Sequence, residues 1–188
     1  MDPTSTPSPK SPAEGSALSG WGLSWGGWLD NRRGEWWLLA QLTLIAAHLL
    51  PPWPAPGSWG YAWPLPLAIS GMLLFALGLL LAVQAFWRLG PSLTPLPAPK
   101  PGAALVTGGA YGRCRHPLYQ AILLCSLGVV LALGSLLHLA LLLGLCVVLG
   151  GKARREERQL LQLHPDYAAY RARVPAIIPR LPWLDWRS

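Results

Sequence analysis

Two short clusters of polar residues interrupt a largely apolar sequence, and they contain the residue types best suited to binding a charged molecule. The first cluster extends from Ala110 to Tyr119 and contains Arg115 and His116. The second extends from Lys152 to Glu157, directly after a long apolar stretch. Arginine and histidine can donate hydrogen bonds to carboxylates, whereas glutamate can accept them from amines. Each cluster therefore has a binding interpretation and a purely structural one.

The first cluster leads into a predicted helix. Pro117 suits the first turn of a helix, because the N–H that proline lacks would have no helical partner there. His116 would then stand at the helix cap, with Tyr119 three residues later on the same face. The free N–H groups of a helix N-terminus can hold a carboxylate. The alternative is an interfacial anchor, in which arginine and tyrosine lie at the depth of the lipid headgroups.

Long apolar stretches dominate the rest of the chain. Apolar residues make up 52% of the sequence and charged residues only 12%, about half the charged share of soluble proteins. A helix needs roughly 20 apolar residues to cross a bilayer, and the last stretch, which ends at Gly151, is long enough to divide at Gly134-Ser135. The sequence predicts an all-α integral membrane protein with about four transmembrane helices, the last two forming a tight hairpin, and with cytoplasmic helices that close a cofactor pocket. The predicted spans are 35–52, 65–88, 118–134 and 136–151, and the predicted cytoplasmic helices are 153–163 and 166–173.

The distribution of charge predicts the orientation. None of the 15 lysines and arginines lies in the loop 51–64 or in the turn around Ser135. By the positive-inside rule, both termini and the loop between the second and third predicted spans are expected to be cytoplasmic in this multi-pass protein. Both polar clusters then lie on the cytoplasmic side at a similar depth, so a shared pocket is geometrically reasonable. For the second cluster alone, a solvated helix end is the alternative.

The net charge of +7 is interpreted as an orientation signal and as an attraction to anionic lipids. No nucleic-acid partner is expected, because the basic residues are not concentrated on a soluble domain. Residues 1–20 are rich in Pro, Ser and Thr and are predicted to be a disordered tail, with a single membrane domain over 21–188. No two of the 3 cysteines have metal-ligand spacing, so no metal site is expected. Cys114 lies between two arginines, which could lower the pKa of its thiol.

Several motifs together resemble the isoprenylcysteine carboxyl methyltransferase family, whose members are membrane enzymes that use S-adenosylmethionine. They are Leu105-Val106-Thr107-Gly108-Gly109-Ala110-Tyr111, Arg115-His116-Pro117-Leu118-Tyr119, Glu156-Glu157 with Leu160, Tyr167, Tyr170, Val174-Pro175 and Pro179. The resemblance covers roughly residues 66–182. The Arg-His-Pro-x-Tyr element followed by a Glu-Glu pair after an apolar hairpin is fairly specific, although related membrane methyltransferases share it.

The resemblance implies a set of site residues. Catalytic roles would fall to Arg115, His116 and Glu157. The cofactor pocket would use Ala103, Ala104, Leu105, Val106, Tyr111, His116, Pro117, Leu118, Tyr119 and Glu156. Lys152 would bind the substrate, at a position where the family carries an arginine. A lysine can neutralise a carboxylate, but it cannot form the two parallel hydrogen bonds of a planar guanidinium group. Alternatively, the side chain of Lys152 could extend into water.

The function implied by the resemblance is membrane-bound transfer of a methyl group from S-adenosylmethionine to a small or lipophilic acceptor. A lipidated acceptor such as a prenylcysteine-like carboxylate is one candidate, and membrane lipid is the other expected partner. The cofactor amine would bind Glu156, and its carboxylate would bind His116, Arg115 or the helix N-terminus. The transfer needs no metal, because alignment alone can supply up to roughly 7–11 kcal/mol. The alternatives are a membrane reductase on a similar bundle and a non-catalytic membrane protein.

Overall fold

The computed structural model describes residues 29–31, 33–98, 102 and 104–187. Within these ranges the protein is helical and contains no strand. The predicted tail, 1–20, lies outside the described residues. The helices are α1 (Glu35–Ala47), α2 (Leu65–Leu89), α3 (Pro117–Leu133), α4 (Leu136–Leu163) and α5 (Tyr167–Arg173). The prediction of an all-α fold is confirmed for the part of the chain that the structure describes.

Two of these helices are long and apolar enough to cross a membrane. The most apolar 18-residue windows of α2 and α4 have mean hydropathies of 2.3 and 2.0, respectively. Large side chains along α2 face outward, among them Leu73 and Leu80, which are 67% and 68% exposed. An apolar surface of this kind is typical of contact with lipid. Helices α1 and α3 are apolar but shorter, so the prediction of four spans stays a prediction.

Helix α1 is shorter than the span predicted for it. It ends at Ala47, whereas the sequence predicted a span over 35–52. Pro51 and Pro52 account for the difference, because each disfavours helical conformation in the residue before it. The intervening residues, from His48 to Leu50, form a turn.

Glycines bring α2 and α3 into close contact. A Cβ atom added to Gly71 would lie only 2.5 Å from the carbonyl oxygen of Gly128. A Cβ atom on Gly128 would in turn lie 2.7 Å from the carbonyl oxygen of Gly71. Small residues at a helix contact are typical of membrane bundles, where close backbone packing replaces the hydrophobic effect. This contact sets α3 firmly alongside α2.

The turn that connects α3 and α4 lies where the sequence predicts, at Gly134-Ser135. Gly134 has a φ of 61°, a left-handed conformation that glycine adopts without strain. Beyond it, α4 runs without interruption to Leu163, so the predicted span and the predicted charged helix at 153–163 are one element. Lys152 and Ala153 at the junction are good helix formers, the two preceding glycines do not interrupt the helix, and the first proline is Pro165. A single helix therefore carries the second polar cluster at a fixed distance from the apolar bundle.

The C-terminal segment packs against α4. Leu145, Leu149 and Ala153 of α4 form a buried cluster with Ile177 and Leu184. The backbone N–H of Ile177 donates to the carbonyl oxygen of Leu184 at 2.8 Å. This packing holds the chain after α5 next to the polar end of α4.

Candidate active site

The N-terminus of α3 positions the first polar cluster. Pro117 occupies the first turn of the helix and His116 is its N-cap residue, as predicted. The imidazole ring of His116 stacks on the ring of Tyr119, with centroids 5.2 Å apart and planes inclined by 2°. The backbone N–H of His116 donates to the carbonyl oxygen of Ala176 at 2.9 Å. These contacts fix the direction of both rings.

The two polar clusters are in direct contact. His116 Nε2 donates to Glu157 Oε1 at 2.9 Å, and His116 Nδ1 lies 3.7 Å from Glu156 Oε2. The hydroxyl of Tyr119 donates to Glu156 Oε2 at 2.9 Å. The end of α4 and the start of α3, about 40 residues apart in sequence, therefore form one polar centre.

Glu157 is the buried hub of this centre. Arg115 donates to its carboxylate from Nε at 2.7 Å and from Nη2 at 3.2 Å, and Trp186 Nε1 donates at 2.6 Å. The side chain of Glu157 is only 2% exposed. Arg115 also donates to backbone carbonyls of Arg171, Val174 and Trp186. The pair ties α3, α4 and the C-terminal segment together.

Glu156 differs from its neighbour, because it faces a pocket. Its side chain is 25% exposed. The free volume of the pocket is about 80 Å³, less than the roughly 300–1,000 Å³ of small-molecule sites, so a cofactor-sized ligand would also occupy its open mouth. The predicted site residues that line it are Ala104, Leu105, Val106, Tyr111, Arg115 and Glu156.

The remaining predicted residues have different positions. His116 and Tyr119 contact Glu156 behind the pocket wall, and Pro117 is buried. Leu118 packs on the buried cluster that includes Tyr111. Ala103 lies outside the described residues.

Sequence reasoning omitted several residues that line the pocket. They are Leu89, Ser92, Thr94, Leu160, His164, Tyr167 and Tyr170. Leu160 and the two tyrosines belong to the motifs that carried the family resemblance, and His164 marks the predicted end of α4, so a signal existed for these four. The hydroxyl of Tyr170 donates to the carbonyl oxygen of Tyr111 at 2.6 Å. The hydroxyl of Tyr167 is buried without a hydrogen-bond partner among the described residues.

Burial keeps these phenols protonated. It raises the pKa of Tyr111 and of Tyr170, and the nearby Glu156 raises that of Tyr111 further. Burial likewise raises the pKa of Tyr167, with a further contribution from Glu157. The three side chains are therefore neutral hydrogen-bond donors at physiological pH.

Lys152 is buried rather than extended into water. It is 2% exposed, and its Nζ donates to Gln41 Oε1 at 2.6 Å and to the carbonyl oxygen of Pro95 at 2.8 Å. The same nitrogen lies 5.3 Å from the centroid of the Tyr119 ring. The alternative in which this side chain reaches water is wrong, because Gln41 of α1 and the loop around Pro95 cover it. Lys152 thus joins α1, that loop and the polar centre.

The expectation of a lowered pKa for Cys114 is also wrong. Burial raises the pKa of its thiol to about 12, and the opposing effect of Arg115 is smaller. The Sγ atom donates to the carbonyl oxygen of Ala176 at 3.1 Å. In the part of the chain that the structure describes, no group of three or more His, Cys, Asp or Glu side chains could hold a metal ion.

Comparisons with known proteins agree with the motifs in this site. The sequence pattern of the phospholipid methyltransferase family matches residues 67–165, which contain almost all of α2, the whole of α3 and α4, and both polar clusters. The cobalt-zinc-cadmium resistance protein CzcN of Cupriavidus metallidurans is 35% identical over 160 residues, covering 81% of this chain and 68% of that protein. The nickel-cobalt-cadmium resistance protein NccN of Alcaligenes xylosoxydans xylosoxydans is 38% identical over 82 residues, or 41% of this chain and 37% of that protein. The chain therefore belongs to the phospholipid methyltransferase family, within the membrane methyltransferases that resemble the isoprenylcysteine carboxyl methyltransferases.

Proposed function

We propose that this protein transfers a methyl group from S-adenosylmethionine to a small or lipophilic acceptor at the membrane surface. One observation carries the proposal: Glu156, held by Tyr119 and close to His116, faces a pocket that the segment from Ala104 to Tyr111 lines. Membership of a membrane methyltransferase family supports the reaction class. It favours methyl transfer over the alternative of a reductase.

The residues present suit this cofactor. The carboxylate of Glu156 can accept hydrogen bonds from the cofactor amine. Arg115, which also lines the pocket, uses its N–H donors within the protein, so it would act on the cofactor carboxylate through its charge alone. Tyr167 offers a buried hydroxyl without a partner among the described residues. The pocket tyrosines also offer aromatic faces, which attract cations. When bound, S-adenosylmethionine supplies a methyl group activated by its sulfonium charge.

The other polar residues act by positioning in this proposal. His116 and Tyr119 fix the carboxylate of Glu156, and Glu157 with Arg115 fixes His116. Because Glu157 is 2% exposed and both its oxygens accept hydrogen bonds from neighbouring side chains, we propose that it positions the site rather than reacting. Fixed groups of this kind contribute to rate by aligning the reactants.

An apolar cavity supports a lipophilic acceptor. It has a volume of about 420 Å³ between α1, α2, α3 and α4, and Phe75, Leu79 and Leu145 contribute to its wall. Its polar side chains include His48 and Ser126, which bond to each other at 2.6 Å. An acceptor could place its apolar body there. Lys152 uses two of its three N–H donors within the protein, so the third could meet an anionic acceptor head, such as a prenylcysteine-like carboxylate.

The proposed topology has four membrane helices, α1 to α4, with both termini and the cofactor pocket in the cytoplasm. The exposed apolar surface of α2 and the confinement of lysines and arginines to one side support it. The cofactor is made in the cytoplasm, so this orientation gives the pocket access to it.

The experiment is a transfer assay with methyl-labelled S-adenosylmethionine and the purified chain. Since both relatives are named for metal resistance, lipid extracts of metal-stressed cells are the first acceptors to test, followed by lipophilic thiols, carboxylates and phenols. We expect label in the lipid fraction with the parent and at least tenfold less with Glu156→Gln. Arg173 is exposed and lies outside the pocket, so Arg173→Gln should transfer as much label as the parent. Equal transfer by the parent and Glu156→Gln would contradict the proposal.

A further inference from the structure

A second polar pocket shares no lining residue with the proposed cofactor pocket. It has a volume of about 240 Å³, and its wall is formed by Arg154, Glu157, Arg158, Arg171 and Trp186. Arg154 and Arg158 are four residues apart on α4, so they share a face of the helix. The pocket combines three guanidinium groups with one carboxylate.

That carboxylate does not balance the positive charge. Glu157 is already paired with Arg115 at 2.7 Å, and Arg171 Nε lies 3.6 Å from its other oxygen. Arg154 and Arg158 therefore leave a positive excess in the pocket. Arginine is the residue best suited to phosphate, because its planar fork of N–H groups matches the oxygens of the anion.

The guanidinium of Arg154 is held in place by two indole rings. Its central carbon lies 4.2 Å from the ring centroid of Trp183 and 4.9 Å from that of Trp186. Trp183 packs on Gly150, where an added Cβ atom would lie 2.3 Å from the indole nitrogen. The buried Nε of Arg154 has no hydrogen-bond partner among the described residues. A cation fixed by aromatic rings, with a donor still unused, is prepared to bind an anion.

The position along α4 matches the phosphate level of a membrane. Arg154 follows the apolar stretch that ends at Gly151 by three residues, or about 4.5 Å of helix. Tryptophan side chains also favour this depth. Basic pockets on the cytoplasmic side of membrane proteins bind the headgroups of anionic lipids.

We propose that the pocket lined by Arg154, Arg158, Arg171 and Trp186 binds a phosphate group at the membrane surface. Glu156 lines the cofactor pocket, which shares no residue with this one, so we infer that the bound phosphate is not the methyl acceptor. The inference rests on the proposed membrane embedding, but not on methyl transfer.

The test uses the full chain in neutral detergent and three probes: short-chain phosphatidic acid, phosphatidylcholine with the same chains, and inorganic phosphate. Binding is measured by titration and by the shift in thermal midpoint. We expect phosphatidic acid to bind at least tenfold more tightly than phosphatidylcholine. Arg154→Gln and Arg158→Gln should each weaken phosphatidic acid binding about tenfold, the loss expected for one charge-assisted hydrogen bond. Because Arg158 is exposed, its variant tests the site even where Arg154→Gln disturbs the indole packing.

Arg173→Gln is the matched control, since Arg173 lies on α5 outside the pocket and donates to the carbonyl oxygen of Ala169. It should bind phosphatidic acid within about twofold of the parent, since surface charges contribute little. If inorganic phosphate binds the parent and binds more weakly to the same two variants, the site is open to soluble phosphates. If inorganic phosphate does not bind, the ligand is a phosphate carried by a lipid. Unchanged binding by Arg158→Gln, or an equal loss in Arg173→Gln, overturns the inference. S-adenosylmethionine binding by Arg158→Gln should match the parent, so this result is independent of the proposed activity.

Discussion

The two ends of the helical bundle are closed by different kinds of interaction. At the hairpin end, the N–H of Trp53 donates to Ser135 Oγ at 2.9 Å, and that hydroxyl donates back to the carbonyl oxygen of Trp53 at 3.1 Å. Trp63 Nε1 donates to the carbonyl oxygen of Leu131 at 2.7 Å. At the other end, ionised side chains centred on Glu157 make the closing contacts.

The difference indicates that the interactions that close the bundle differ from those that prepare a binding site. At the hairpin end, the hydrogen bonds made by Ser135 and by Trp63 join neutral groups only. At the opposite end, Glu157 and Arg115 are buried and paired, at a desolvation cost that a neutral closure avoids. We infer that the charged network persists because it orients His116 and, through it, Glu156.

Glu157→Gln should have the largest effect on stability. Removing this charge leaves Arg115 buried without its carboxylate, which costs about 3–5 kcal/mol for a buried pair. We expect this decrease in the free energy of unfolding by denaturant titration in detergent. The neighbouring Glu156→Gln, at a half-buried position facing the pocket, should lower the stability far less. Similar losses in the two variants would remove the distinction between the hub and the pocket residue.

Ser135→Ala should have a moderate effect at the opposite end. The change removes the hydrogen bond to the backbone N–H of Trp53, which costs about 0.5–1.5 kcal/mol because Trp53 is largely exposed and water can replace the lost partner. The thermal midpoint should fall, while S-adenosylmethionine affinity stays within about twofold of the parent. A large loss of affinity here would show that the two ends are coupled and that the comparison is too simple.

Cysteine substitutions at exposed positions should have the smallest effect on stability and should report which end faces which side. With the three native cysteines replaced by alanine, Ser58→Cys lies in the loop near the hairpin and Gln162→Cys near the end of α4. A reagent that does not cross membranes should label Ser58→Cys in intact cells, and Gln162→Cys only after the cells are opened. Labelling of Gln162→Cys in intact cells would contradict the proposed orientation.

Local sequence signals predicted much of this architecture. Pro117 at the helix start, Gly134-Ser135 at the hairpin and His164-Pro165 at the end of α4 each act within a few residues, so the sequence reveals them directly. The contact between His116 and Glu157 was accessible because charge distribution places both clusters at one depth. Helix α1 ends at Ala47, inside the span predicted over 35–52, and Pro51 and Pro52 indicate that the remainder of that span is not helical.

Features that depend on tertiary packing could not be predicted. The burial of Lys152 depends on Gln41 and Pro95, which come from two distant segments. The raised pKa of Cys114 likewise depends on the covering chain around Ala176, which the flanking arginines do not indicate. The same applies to Trp186, whose indole reaches Glu157 from the C-terminal segment.

The most direct test of the central claim is a calorimetric titration of the purified chain with S-adenosylmethionine. The parent and Ser135→Ala should bind with similar affinity, and Glu156→Gln should bind about 10- to 100-fold more weakly, as expected for losing one hydrogen bond to a charged group. Circular dichroism should show that Glu156→Gln retains its helices. Absence of binding by the parent, or equal affinity in Glu156→Gln, would contradict the assignment of this pocket as the cofactor site.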